Sequence, residues 1–271
     1  MSIRVANFDG TFVELAQPAE RIVSLVPSES ETLHYLGAED KIVGITKFCE
    51  KPWSQFKAKE HVGGVKDPDV DRIRELEPDL ILCNKEENEK DAVEELREIA
   101  PVHVSFVVKV DEAARLIADL GALTGCGDKA QEMVAQIAQG RETVMGAKAD
   151  YTFRRVLHLV WKDPYMTVSP DTYIYDLLTQ AGLEPVIPRI KKRYPMIDAD
   201  FIRECDPEAV FFPDEPYKFK FGDIDEFREE FADLACVRND GLYKIDGATV
   251  TWFGYRTTLA FDYIAKVMRL P

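Results

Sequence analysis

The chain is short of cations. Against 49 Asp and Glu it carries 34 Lys and Arg over 271 residues, a formal net charge of −15. That deficit argues against nucleic acid as a partner, and none is expected, because neutralising phosphates takes a surplus of Lys and Arg. It suits docking onto a basic partner. Cysteine is sparse: Cys49, Cys83, Cys126, Cys205 and Cys236 form no CxxC and no zinc spacing with the scattered His34, His61, His103 and His158. An odd, unpatterned count points to reduced thiols and a reducing compartment. No apolar run approaches the ~20 residues of a membrane span, so membrane insertion is not expected. The opening MSIRVANFDGTF lacks an apolar leader core, so the chain as written reads as cytoplasmic. G-x-S-x-G, P-loop and H-E-x-x-H patterns are absent, and with them any catalytic or metal-ligand assignment. Only Glu29 and Cys49 are plausible reactive groups, and both have structural explanations. What remains, 46% hydrophobic and 31% charged, is a globular protein of one large or two medium domains, expected to be monomeric.

The stretch RIVSLVPSESETLHYLG, Arg21 to Gly37, is a buried strand opening into a polar cluster and an amphipathic helix. Ser28 and Glu31 have capping-box spacing, Leu33 and Leu36 supply the apolar face, and Gly37 suits a left-handed C-cap. Open α/β sheets place ligands at such strand-to-helix corners. On this stretch alone, a well-capped helix with nothing bound is the favoured account.

The chain repeats itself. RIRELEPDLIL (Arg72 to Leu82) is similar to FIRECDPEAVF (Phe201 to Phe211), with Pro78 and Pro207 offset by 129. RIVSLV (Arg21 to Val26) is similar to RVLHLV (Arg155 to Val160), offset by 134. The second corner leads to SPDTYIYDLL, with Ser169 expected as N-cap, Pro170 at the first helical position and a stop at Gly182. Strings of the x-P-D-L-I-L kind are common, but the shared order favours duplication. Strands alternate with helices in each half, which predicts parallel sheets. Strands are expected near Ile42 to Ile45, Leu80 to Cys83 and Val102 to Val108. Helices are expected near Ser28 to Leu36, Val70 to Leu76 and Glu87 to Ile99. A two-residue hairpin turn is expected at Asp9-Gly10.

Between the halves, Asp128 to Ala149 presents Ala130, Met133, Val134, Ile137, Ala138 and Val144 at helical spacing. A helix of that length spans roughly 33 Å. It is poor in the Gly, Ser and Pro of a flexible linker and reads as a stiff connector, with Gly140 and Gly146 as weak points. The expected division is an N-terminal α/β lobe over 1–126, a connecting helix over 127–149 and a C-terminal α/β lobe over 150–271.

FDGTFVELAQPAERIVSLVPSESETLHYLG, KIVGITKFCEKP, HVGG, DRIRELEPDLIL, DPYMTVSPDTYIYDLLTQAG and YPMIDADFIRECDPEAVFF together resemble the substrate-binding proteins of metal-chelate ABC importers, the helical-backbone metal receptors, and most of all the cobalamin binders. The resemblance covers nearly the whole chain. It implies two α/β lobes with parallel sheets, one long helix joining them and a ligand cleft between. The ligand would be a bulky metal chelate, a cobalamin-like corrinoid, a ferric siderophore or haem, with no intrinsic cofactor and no metal ligands of the protein's own. Ser28 and Glu29 would face the cleft. Relatives are secreted or lipid-anchored, so a trimmed mature form would be periplasmic or otherwise extracytoplasmic. A cobalamin-binding relative can carry a stacking Trp where this chain has Val65.

A chelate cleft is lined by aromatics and a few polar groups. Phe48 follows the strand KIVGIT. Tyr165 and Met166 precede the second-lobe helix, Tyr194 stands before Pro195 where relatives place a cleft aromatic, and Trp252, Phe253 and Tyr255 lie in TWFGYR. RIKKRY gathers four cations from Arg189 onward, and Arg256 lies in another cleft-edge loop. Guanidinium groups bind paired oxygens and stack on rings, which suits an anionic chelate; a bare basic loop explains RIKKRY as well. Asp71 and Asp200 share the 129 offset. Relatives use acids at these places to dock a two-fold permease, while favourable placement at the positive end of a helix is the simpler account. The leading function is chelate binding for an ABC-type importer, not catalysis. A cytoplasmic chelate carrier or sensor without a transporter, and a chelatase-like enzyme, are the alternatives.

Overall fold

The computed structural model describes residues 2–49 and 52–269. Two compact units result. The first takes the residues up to Val107, then Asp111–Gln136 and Phe253–Tyr255; the second takes Val108–Val110, Ile137–Trp252 and the residues from Arg256 on.

In the first unit a hairpin, β1 (Ile3–Ala6) and β2 (Phe12–Leu15), precedes β3 (Ile22–Ser24), α1 (Pro27–Leu36), β4 (Ile42–Ile45), α2 (Trp53–Phe56) and β5 (Glu60–His61). Then come α3 (Val70–Glu75), β6 (Leu80–Asn84), α4 (Lys90–Leu96), β7 (Val102–Ser105) and α5 (Val110–Thr124), whose first residue counts with the second unit. The sheet runs β5-β4-β3-β6-β7, parallel throughout. Its inner strands β3, β4 and β6 are mostly apolar and buried, as strands covered on both faces are, while the edge strand β5 is polar and exposed. Val23, Leu25, Ile81, Cys83, Val102 and Val104 pack with Ile73, Val93 and Leu96 from the helices.

The helix α6 (Gly127–Gly146) carries the chain into the second unit. There follow β8 (Arg155–Trp161), β9 (Met166–Thr167), α7 (Tyr173–Gln180), β10 (Glu184–Pro185), α8 (Ala199–Cys205), β11 (Ala209–Pro213), α9 (Phe221–Glu230), α10 (Ala235–Arg238), β12 (Leu242–Ile245), α11 (Gly247–Thr251) and α12 (Thr257–Val267). The parallel order is β10-β8-β11-β12, with β9 antiparallel on β8. Leu157, Leu159, Val210, Phe212, Phe227 and Phe231 lead its core.

The two sheets share an order and a register. Ile22 pairs with Leu80 across β3 and β6, and Val156 pairs with Ala209 across β8 and β11, the same places in the repeat. The match extends to side chains. The Arg21 guanidinium donates to the carbonyls of Leu76 and Glu77 at the end of α3. The Arg155 guanidinium donates to those of Cys205 and Asp206 at the end of α8. Asp79 accepts from the Glu20 and Arg21 amides, and Glu208 from the Arg154 and Arg155 amides. Glu77 and Asp206 both turn with positive φ, 45° and 35°. Each arginine satisfies helix-end carbonyls left without an intrahelical partner.

Several boundaries differ from the sequence expectation. The helix α1 starts at Pro27, with Val26 at the N-cap and no side-chain cap, so Ser28 and Glu31 form no capping box. Proline has no N–H to satisfy and a preset φ, which opens the helix one residue early. In α7 the cap is Thr172, accepting from the Tyr175 amide, and Ser169 lies in the preceding turn. The hairpin loop is longer than two residues, because Asp9 Oδ1 accepts from both the amide and the hydroxyl of Thr11 and folds a local turn. An Asn84–Asn88 turn delays α4 to Lys90. The strand β7 stops at Ser105. Gly140 is a packing point, not a weak one: a Cβ there would meet Phe261 Cβ at 3.2 Å.

Phe253–Tyr255 lies with the first unit, not with the C-terminal lobe expected over 150–271. The Tyr255 ring stacks on Tyr35 of α1, centroids 3.4 Å apart, and its amide donates to Thr32 Oγ1 at 3.0 Å. Gly254, at φ +89°, is held so close that a Cβ would fall 2.2 Å from that oxygen.

Candidate functional site

In the first unit the corner after β3 closes on itself. Positions 29, 33 and 36 share one helical face, so Glu29 turns inward with Leu33 and Leu36. It is 0% exposed. Its Oε1 accepts from Ser105 Oγ at 2.5 Å, and Asn84 Nδ2 donates to the same hydroxyl at 2.9 Å. Its Oε2 has no hydrogen-bond partner. Desolvation pushes the Glu29 carboxyl up to about 8, against the opposing bond from Ser105. At neutral pH it is a buried acid, not an exposed anion. That corrects the expectation of a carboxylate facing a ligand. Ser28 is buried too, its carbonyl accepting from Thr32 Oγ1 at 2.7 Å. Nearby, Cys49 Sγ lies 3.2 Å from Ser30 Oγ and 3.4 Å from Thr46 Oγ1, and burial raises its thiol pKa.

Just past the carboxyl end of β4, Phe48 is 49% exposed, with the Lys47 ammonium 5.3 Å from its ring centroid. A second aromatic group, exposed Phe8 with half-buried Phe106, lies outside the sequence expectation. Lys85 reaches over both Phe8 and Phe106, at 4.9 and 4.5 Å, beyond the ends of β6 and β7. The signal available was Lys85 and Phe106 standing directly after buried strands.

In the second unit the corner after β8 opens. The strand ends on Trp161, 43% exposed, whose indole meets the Tyr217 ring edge-on at 5.5 Å. Trp161 stands 134 residues after Pro27, where the first unit turns directly into a helix. Tyr165 is half-buried against Phe227, and burial pushes its phenol up to about 12, with Glu230 adding to the effect. Met166 pairs with Trp161 and bridges to Met196. Lys162, directly after Trp161, donates to Asp223 at 2.7 Å and to Glu226, which fixes the corner to α9. Arg189 is exposed in the loop after β10, and the Arg193 guanidinium lies 5.9 Å from the ring centroid of half-buried Tyr194. The Arg256 guanidinium lies 5.4 Å over the half-buried Trp252 ring and 3.9 Å from Asp246. Of the candidate residues, then, Tyr165 adjoins Met166 and Trp252 adjoins Arg256 in this unit. Tyr255 adjoins α1, which bears Ser28 and Glu29, in the other; Phe253, half-buried, belongs to that first unit too.

Asp71 and Asp200 are exposed on the first turns of α3 and α8, and neither makes an ion pair among the described residues. Their neighbours Asp69 and Asp198 cap those helices, accepting from Arg72 and Phe201 amides at 3.0 and 2.8 Å. Among the described residues no group of three or more His, Cys, Asp or Glu side chains is placed to hold a metal ion.

A duplicated α/β fold with one parallel strand order in both halves defines the class of protein. The chain belongs to the periplasmic binding protein family, whose family model matches residues 22–249. The "Vitamin B12-binding protein" of Yersinia pestis (strain Pestoides F) is 26% identical over 196 residues, 72% of this chain and 70% of the relative. Solved structures share the fold. The petrobactin-binding protein YclQ of Bacillus subtilis aligns with a TM-score of 0.84 at 20% identity, covering 100% of both chains. The periplasmic vitamin B12 binding protein BtuF of Vibrio cholerae aligns at 0.80 and 20%, over 93% of this chain and 97% of the other. The periplasmic heme-binding protein RhuT of Roseiflexus sp. RS-1 aligns at 0.77 and 17%, over 93% and 98%.

Proposed function

We propose that the chain is the substrate-binding component of an ABC-type importer and that its ligand is a bulky metal chelate of the corrinoid, ferric-siderophore or haem class. The observation that carries this is the pair of exposed aromatics where strands end, Phe48 past β4 and Trp161 on β8, in a family whose relatives and fold neighbours are named for vitamin B12, petrobactin and heme. Carboxyl ends of parallel strands are where α/β sheets take ligands. Aromatic faces hold a large chelate by area and dispersion without bonding its metal. The family description favours a place outside the cytoplasmic membrane, and no described helix is long and apolar enough to cross one. Asp71 and Asp200, exposed and equivalent, are the proposed contacts to basic residues of a two-fold permease.

The test is direct. Purified protein is incubated separately with haemin, cyanocobalamin and ferric siderophores, desalted, and read by visible absorbance. One chromophore should remain with the protein in near-stoichiometric amount. Loss of every chromophore on desalting, from protein with a native circular-dichroism spectrum, would overturn the reading.

A further inference from the structure

The first unit holds a cavity of about 180 Å³ beside the edge strand β7. Three parts of the chain line it. Phe8 follows β1, His103 and Phe106 stand on β7 and just past its end, and Glu112, Arg115 and Asp119 share one face of α5. All six belong to the first unit.

The two rings already hold a cation. Phe8 and Phe106 lie with centroids 5.7 Å apart and planes tilted by 59°. The Lys85 ammonium is 4.9 Å from the first centroid and 4.5 Å from the second. Both distances fall within the ~6 Å reach of a cation–π contact, so the pair makes the corner of an aromatic cage. Phe8 is 40% exposed, which leaves that corner open to solvent.

Charge and hydrogen bonding agree with the rings. Two carboxylates, Glu112 and Asp119, line the cavity against one guanidinium. That guanidinium is already engaged: Arg115 donates to the Ala6 carbonyl at 3.0 Å and lies 3.4 Å from Asp119. Burial raises the Asp119 pKa against the pull of Arg115, so a second cation would stabilise the carboxylate further. His103 is 2% exposed, and its Nδ1 has no hydrogen-bond partner among the described residues. Desolvation, aided by the Arg115 charge, lowers its pKa to about 4. At neutral pH the imidazole is therefore uncharged and has a ring nitrogen able to accept from a hydroxyl.

We propose that this cavity binds a small hydroxylated quaternary ammonium of choline size. Its methyl groups pack on Phe8 and Phe106, its charge faces Glu112 and Asp119, and its hydroxyl donates to His103. A quaternary head has no N–H to leave unpaired on an aromatic face, which favours it there over the Lys85 ammonium. Lys85, on a flexible stem, yields the rings to it. A chain of net charge −15 also draws cations toward its surface. The site uses neither Phe48 nor Trp161 and stands independently of the chelate-binding reading.

The experiment titrates the whole chain with choline, with its uncharged isostere 3,3-dimethylbutan-1-ol and with the anion 3,3-dimethylbutanoate, following the methyl resonance of each by NMR. Choline should bind with a Kd of about 1 mM or below, about tenfold or more tightly than the isostere, and the anion should not bind. Tetramethylammonium, without the hydroxyl, should bind more weakly than choline. Phe8→Leu keeps an apolar side chain at an exposed place and should weaken choline about threefold or more. Glu112→Gln should weaken choline and leave the isostere unchanged. Lys85→Met should tighten choline, because the rings lose their own cation. Each variant should keep the parent's circular-dichroism spectrum. Choline binding no tighter than its isostere, no choline binding up to about 10 mM, or parent-like choline affinity in all three variants would overturn the site.

Discussion

The corner after β3 and the corner after β8 occupy the same place in a repeated fold and do opposite things. The strands leading into them share order and register, and the same arginine holds the same helix end behind each. Yet Pro27 turns the first strand straight into a helix, and Glu29 goes inside. Trp161 stands at the equivalent point of the second, and the chain makes a short antiparallel excursion through Met166 before its helix begins. Asp163, the counterpart of Glu29, is exposed. What is common to the halves is scaffold, set by strand pairing and helix ends. What differs lies at the carboxyl edge, where side chains are free of the pairing and a ligand would be met.

The strongest break of the comparison is in the scaffold. Val23 and Leu157 are equivalent, and both are fully buried. Leu157→Ala should cost about 2–5 kcal/mol in urea unfolding. Val23→Ala should cost about 2 kcal/mol, since fewer methyl groups leave. Equal losses would show that the two cores do not respond to volume alike.

A second prediction separates the corners by pH. The Glu29 carboxyl is raised in the folded protein from its ordinary value of 4.5 to about 8, first by desolvation. A protonated native group and an ionised unfolded one mean that the folded state binds the extra proton. Its contribution to stability is therefore fully present below about 4.5 and is lost as pH rises through about 8. Across that window the slope from this group is at most about 1.4 kcal/mol per pH unit. Urea unfolding between those limits should show stability falling with pH in the parent and a flatter profile in Glu29→Gln. A parent profile unaffected by the substitution would mean that Glu29 ionises in place.

The clamps should break alike. Arg21→Met and Arg155→Met each remove donors to helix-end carbonyls, at partly exposed sites, and each should cost about 1 kcal/mol. A loss confined to one half would show that the other relies on water.

The scaffold was legible in the sequence because its signals are periodic and local. The pairs Arg21/Arg155 and Pro78/Pro207 gave two offsets, and both reappear as strand register. Gly37 ends α1 in the left-handed conformation, as its type suggests. The α1 start differs because Pro27 opens the helix ahead of Ser28, whereas in α7 the helix begins after Pro170 with Thr172 as its cap; the string SES looks polar whether or not it is buried. The resemblance implies a cleft-facing Glu29, but its i+4 and i+7 neighbours are Leu33 and Leu36, and that shared helical face turns the carboxyl inward. Trp161 was passed over because it terminates a strand that otherwise reads as core. Nothing local distinguishes an indole that caps a buried run from one inside it; the exposure is set by the hairpin that follows.

The smallest stability effect separates two pairs of acids that sequence alone barely tells apart. Asp69 and Asp198 spend their oxygens on helix N-caps, so each change to Ala should cost about 0.5–2 kcal/mol. Asp71 and Asp200 stand two residues on, exposed, with no ion pair among the described residues, and give the helix only a favourable charge near its positive end. Each should cost about 0.3–1 kcal/mol or less on replacement by Ala. Under the proposed docking of Asp71 and Asp200 to a two-fold permease, the order should reverse in association. A two-fold membrane partner with one basic patch per subunit needs one acid from each half, so Asp71→Ala with Asp200→Ala should abolish complex formation while chelate affinity stays at the parent value. Asp69→Ala with Asp198→Ala should lower stability yet leave association within a few-fold, because the caps point their oxygens into their own helices. Co-purification of the cognate permease with each double variant, in detergent or nanodiscs, reads the difference. Association that survives loss of Asp71 and Asp200 would reduce those residues to helix electrostatics, and the repeat would then have no bearing on how the protein meets a membrane.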